Sequence, residues 1–225
     1  MGRGHLGGWK LIMWLLRGVI FCLCCVVFSP ENVAATDQSL EDFLAGVEAQ
    51  AAQVHALRCS FIQEKHLAVF AQPVIFNGVL NLVRPDNLRW ELVAPVPSVF
   101  ILKGQKGIRC TDQQPPQYFD LKDDPVMQMV ASQLWTWLDG KYGQLNQSYQ
   151  LAMAGSSSLS IIPKDDKVVA EFIESINIVF DPVSKQPQQV EIFEPGGDLT
   201  RIVFHGYQLD HLPDEALFAR CYRGE

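Results

Sequence analysis

Phe61-Ile-Gln-Glu-Lys-His-Leu67, followed by Gly78-Val-Leu80 and Arg84-Pro-Asp-Asn-Leu-Arg-Trp-Glu91, decides the fold. Phe61, Gln63 and Lys65 alternate with Ile62, Glu64 and His66, the period of two expected of a strand with two unlike faces. The same alternation continues through Val74–Val83, Leu88–Val93 and Val99–Lys103. Pro85-Asp86-Asn87, Pro95 and Pro97 separate several of these segments with turn chemistry. Gly104-Gln-Lys-Gly107 then turns the chain into Ile108–Thr111, and Tyr118–Leu121 reads as a further short strand.

Working outward, a helix precedes the meander. Ser39 can cap it, and Leu40, Phe43, Leu44, Val47, Ala51 and Val54 recur at helical spacing. A second helix interrupts the strands: Asp124 caps it, Pro125 takes its first position and Gly140 ends it. Its stripe of Val126, Met129, Val130, Gln133, Leu134, Trp137 and Leu138 is apolar apart from one glutamine. Strands resume at Tyr149–Met153, Leu159–Ile162, Glu171–Phe180, Gln189–Glu194 and Leu199–Tyr207. Consecutive strands joined by short turns pair antiparallel, and about ten strongly twisted strands tend to curl. Two helices are too few to cover both faces of such a sheet. The expected fold is therefore mainly β (α+β): an incomplete, strongly curved antiparallel barrel of about 10–11 strands, with helices lidding an apolar cavity.

The N-terminus sets the compartment. Arg3, Lys10 and Arg17 precede or flank the apolar run Val19–Phe28, and Val33-Ala34-Ala35 is a small-residue cleavage site. That is a signal-peptide pattern, with Met1 or Met13 as its start. Its apolar core of about 10 residues is well short of the roughly 20 that a spanning helix needs. An acylated Cys22, Cys24 or Cys25 is disfavoured, because no small residue precedes any of them. The expected organisation is a signal peptide over 1–35 and one domain over 36–225. Removing residues 1–35 takes away Arg3, Lys10, Arg17 and Glu31, so the net charge moves from −7 to −9. Such acidity argues against nucleic acid as a standing partner. Cys59, Cys110 and Cys221 then remain; one disulfide with one free thiol, or three small buried apolar residues, are both open.

The candidate chemistry is that of binding. His55, His66, His205 and His211 lack metal-ligand spacing, and no GxSxG, P-loop or GxGxxG occurs. Asp123-Asp124 and Asp165-Asp166 read as solvated turn residues. No enzyme, metal or cofactor is expected. Strand aromatics together with Trp135 and Trp137 supply surface for a lined cavity, against the plain alternative of an ordinary core. Arg84, at a strand end before Pro85, could reach helix carbonyls, against the plain alternative of a surface arginine.

Phe61-x-Gln63, Gly78-x-Leu80, Arg84-Pro85, Leu88-Arg-Trp90, Pro95 and Gly197-Asp198-x-Thr200 resemble, in order and spacing, the periplasmic outer-membrane lipoprotein carriers of the LolA type. The resemblance covers about residues 37–219. It implies a soluble monomeric carrier that shields acyl chains of lipoproteins, taking them from an inner-membrane ABC-type or other exporter to an outer-membrane receptor. It further implies that Arg84 latches the lid and that Leu88 handles cargo, with Phe61 and Trp90 lining the cavity; Leu80, Leu134 and Trp137 complete the expected lining. Lys103–Cys110 departs from the family in having no aromatic residue, and Glu64-Lys-His-Leu67 with Pro73 resembles a divergent branch. That branch implies a lipid-linked pigment or glycolipid as alternative cargo. A non-transporting envelope scaffold is the alternative from a different class.

Overall fold

The computed structural model describes residues 31–164, 169 and 171–221, and for residues 31–37, Val126, Met129, Val130, Gln133 and Trp137 it describes the backbone alone. The chain divides into units of residues 1–39 and 40–225. Helix α1 runs Glu31–Gln53, so it starts before Ser39, and Ser39 is a residue within the helix and not its cap. The Val33-Ala34-Ala35 run consists largely of good helix formers, which explains the earlier start. The basic and apolar parts of the expected signal peptide lie outside the described residues.

Eleven strands form a single antiparallel sheet. They are β1 (Ala56–His66), β2 (Val74–Val83), β3 (Asn87–Ala94), β4 (Ser98–Lys103), β5 (Lys106–Thr111) and β6 (Gln114–Asp120), then β7 (Tyr149–Gly155), β8 (Ser158–Pro163), β9 (Ser175–Phe180), β10 (Pro187–Phe193) and β11 (Leu199–Leu209). Their order is β6-β5-β4-β3-β2-β1-β11-β10-β9-β8-β7. The sheet curves without closing, as the strand pattern implied. The two halves of the meander meet where β1 pairs with β11, through Phe61↔Phe204 and Ile62↔Val203. β6 reaches back to include Pro115 and Pro116, which an edge strand tolerates because its outer N–H groups need no partner. β9 begins at Ser175, four residues later than the periodicity suggests.

Helix α2 (Pro125–Asp139) lies between the two halves of the sheet in sequence. The Asp124 side chain accepts from Met127 N at 3.0 Å, and Gly140 ends the helix at φ +68°. A Cβ on Gly140 would also stand 2.8 Å from the Ala51 Cβ, so this glycine lets the end of α2 approach α1 closely.

The helix-covered face of the sheet carries two apolar clusters. Leu44 and Val47 of α1 pack with Tyr142, Tyr149, Leu159, Ile161, Ile176, Ile178 and Phe180 over β7–β10. Val54 and α2 residues Met127, Ala131, Leu134, Trp135 and Leu138 pack with β1–β4 and β11. The opposite face is strapped by the segment after β11. Its Phe218 and Cys221 pack on Val99, Ile101 and Cys110, and Cys110 is disulfide-bonded to Cys221. Of the two open readings of the cysteines, one bridge with buried Cys59 as the free thiol is what forms.

Arg89 is buried under that strap at 1% exposure. It donates to Glu91 at 2.9 Å and to the carbonyls of Leu217, Arg220 and Cys221 at 3.1, 2.7 and 2.9 Å. A buried guanidinium is tolerable only when so many acceptors meet it.

Candidate functional site: an apolar cluster under a helix clamp

Strand alternation puts Phe61, Leu80, Leu82 and Leu88 on the helix-covered face, each buried to within 1%. Trp90 and Leu134 join them partly exposed. Of the expected lining, Phe61, Leu80, Leu88, Trp90 and Leu134 therefore belong to one cluster, while the Trp137 side chain lies outside the described residues. The rings of Phe61 and Trp90 stand 4.3 Å apart, and Phe204 sits 6.1 Å from the first and 6.2 Å from the second. Phe204 was not singled out from sequence, although the alternation Thr200, Ile202, Phe204 gives it the same face. Gly78 lies beneath the Phe61 ring. A Cβ there would meet ring carbons at 2.1–2.6 Å, so the aromatic packing requires glycine at that position.

Arg84 stands at the end of β2, where its backbone N–H donates to His55 O at 2.9 Å. Its side chain forks between two helices. Nε donates to Val54 O, one residue past α1, at 2.8 Å. Nη2 donates to Leu138 O at 2.6 Å, and Nη1 donates to the Asp139 carboxylate, both in the last turn of α2. The guanidinium and Asp139 side chains are 19% and 20% exposed. Burial pushes the guanidinium below its ordinary value, and three oxygen acceptors offset that desolvation. Asp139 was not legible as the partner: 55 residues separate the pair, and nothing local marks that carboxylate among the others. A pocket of about 320 Å3 opens beside this clamp, lined by Pro85, Asp86, Leu121, Ala131, Trp135 and Asp139 among others.

Among the described residues, no group of three His, Cys, Asp or Glu side chains could hold a metal ion. No described helix is long and apolar enough to cross a membrane. What the arrangement can do chemically is sequester apolar surface beneath the helices.

The family model described as outer membrane lipoprotein carrier protein LolA matches residues 52–221. The chain belongs to the LolA family. That family is one of carriers, and its fold is the curved, unclosed antiparallel sheet seen here. Among solved structures, an uncharacterized conserved protein of Thermus thermophilus is similar at TM-score 0.51 and 8% identity, covering 82% of this chain and 94% of that one. MucB is similar at TM-score 0.50 and 16% identity over 81% of this chain, which spans only 64% of MucB. The Mycobacterium tuberculosis lipoprotein LppX gives TM-score 0.44 at 9% identity, covering 77% of this chain and 98% of that one. No curated protein sequence matches the chain significantly. At these identities the likenesses to the Thermus thermophilus protein and MucB describe the fold alone.

Proposed function

We propose that this LolA-family protein is a periplasmic carrier, exported by a signal peptide over residues 1–35. It shields the acyl chains of lipoproteins, or of a related lipid such as a lipid-linked pigment or glycolipid, between the inner and outer membranes. An inner-membrane exporter loads it, an outer-membrane receptor unloads it, and it works as a monomer without covalent chemistry. The observation that carries the reading is Arg84 tying the ends of α1 and α2 together over the cluster of Phe61, Leu80, Leu88, Trp90 and Leu134.

The physical logic is an exchange. An exposed acyl chain costs about 0.8 kcal/mol per methylene in water. In the empty state, the helix side chains cover the same sheet face that acyl chains would cover in the loaded state. Leu88 is fully buried, so cargo enters only if α2 moves away and the clamp opens. Ion-pair and carbonyl contacts suit that task, since they resist opening by a few kcal/mol without making it irreversible.

Binding of a fluorescent fatty acid to the delipidated protein tests the reading. The wild type should enhance the probe's emission. Leu88→Glu places a charge among the apolar residues and should weaken binding on the order of tenfold or more. A folded wild type that binds no amphiphile sinks the proposal.

A further inference from the structure

The hairpin joining β1 to β2 outreaches its neighbour β3, while β11 accompanies β1 to its end. β11 begins at Leu199, opposite His66, and β3 pairs with β2 only from Asn77↔Ala94 onward. Val74, Ile75 and Phe76, with the connection 67–73, therefore project past the β3 side. At about 3.3 Å per strand residue, that reach is on the order of 10 Å. The projecting sequence Leu67-Ala-Val-Phe-Ala-Gln-Pro-Val-Ile-Phe76 carries no charge, in a chain whose net charge is −7. Val69 and Phe70 at its tip are 84% and 61% exposed, and Ile75 is 49% exposed. The neighbouring β3–β4 connection, at the same end of the sheet, adds Val93 and Val96 at 52% and 53%. An isolated exposed valine needs no explanation, but a contiguous apolar end does.

The hairpin is also held in shape. Ala68 N donates to Asp198 Oδ1 at 2.9 Å, fixing it to the β10–β11 turn, and Phe70 N donates to Leu67 O at 2.9 Å within the turn. The charges at its base already have partners: Lys65 with Glu194, His66 with Glu64, and Arg201 with Glu64 and Glu191. No unpaired cation stands there, among the described residues, to draw anionic headgroups.

We infer that this hairpin and the 93–97 connection insert into the interfacial layer of a lipid bilayer, whatever its headgroup charge. The exposed apolar end consists of one hairpin turn and one short connection, whereas a stable protein interface needs about 800 Å2 on each partner. A reach of about 10 Å matches the roughly 5–10 Å to which interfacial apolar elements are buried in a bilayer. With the local charges paired, insertion draws on apolar burial and not on a polybasic attraction of the kind that anionic leaflets favour. The inference goes beyond the carrier reading and does not depend on it.

The test is co-flotation with vesicles of phosphatidylcholine, alone or mixed with phosphatidylglycerol, at low and high salt. Wild type and the double variant Val69→Asp/Phe70→Asp are both produced from the full chain in an exporting host. Wild type should float equally well with either vesicle and at either salt. The variant, folded by circular dichroism, should lose binding on the order of tenfold or more. Three outcomes overturn the inference: no flotation of wild type, equal flotation of the variant, or flotation that requires phosphatidylglycerol and vanishes with salt. Absence of flotation would leave the apolar end to a protein partner, and salt-sensitive flotation would assign membrane binding to charge instead. Fluorescent fatty acid binding without vesicles separates the two proposals, because it should be unchanged in the tip variant. Flotation without fatty acid binding would remove the carrier reading alone; fatty acid binding without flotation would remove this one alone.

Discussion

Replacing Arg84 by leucine removes one side chain that touches the ends of both helices, so it perturbs the lid and little else. Three hydrogen bonds from a charged donor are lost, to Val54 O, Leu138 O and the Asp139 carboxylate. Taken singly, each is worth roughly 1.5–3 kcal/mol. The net effect is smaller. Asp139 keeps Lys141 Nζ at 3.8 Å, and the freed carbonyls at helix ends can turn to water. The low end of the cost of breaking a buried pair, about 3 kcal/mol, is the appropriate figure. At about 1.4 kcal/mol per decade, this corresponds to roughly a 150-fold shift of the lid equilibrium towards the open form. The fold should survive, because the strand pairing and the cluster beneath α2 do not use the guanidinium. Hydrogen exchange over residues 125–139 should accelerate by about that factor, and a bound fluorescent fatty acid should pass to acceptor vesicles with altered kinetics. Arg84→Lys keeps the charge but loses the fork, so it should fall between the two. If folded Arg84→Leu shows wild-type protection and wild-type release, Arg84 is a surface charge and not a latch.

Two further outcomes follow from the cysteines. Cys110→Ser should destabilise the protein by about 4–5 kcal/mol, since the lost bridge closes a loop spanning a sequence separation of 111 residues; denaturant unfolding measures this, and a midpoint unchanged by substitution or reductant would contradict it. Burial pushes the free Cys59 thiol from its ordinary value of ~8.5 up to about 12. Between those values the unfolded chain releases a proton that the folded one keeps. Stability should therefore be flat through neutral pH and fall as pH rises above about 9. Native protein should resist iodoacetamide at pH 8 and react once unfolded; mass spectrometry of the alkylated protein distinguishes these, and ready native labelling would show that the strand opens there.

Much of this protein is written locally. Period-two alternation marks the sheet because each strand must present one face to the helices, whereas Phe61, Leu88 and Trp90 were expected as lining through the family resemblance. Asp124, Pro125 and Gly140 bound α2 because caps act within one turn. What tertiary structure decided is every relation between distant segments. The pairing of β1 with β11 brings Phe204 to Phe61 and Trp90, and sequence offers no register for strands separated by the rest of the chain. Asp139 became the acceptor for Arg84, and Cys221 the partner of Cys110, because the whole sheet and its strap carried them there. The projection of residues 67–76 is likewise relational: the hairpin passes the β3 side only because β3 pairs with β2 no further than Asn77. Local chemistry sets which side of a strand is apolar, whereas which apolar sides meet depends on the burial gained by the assembled sheet.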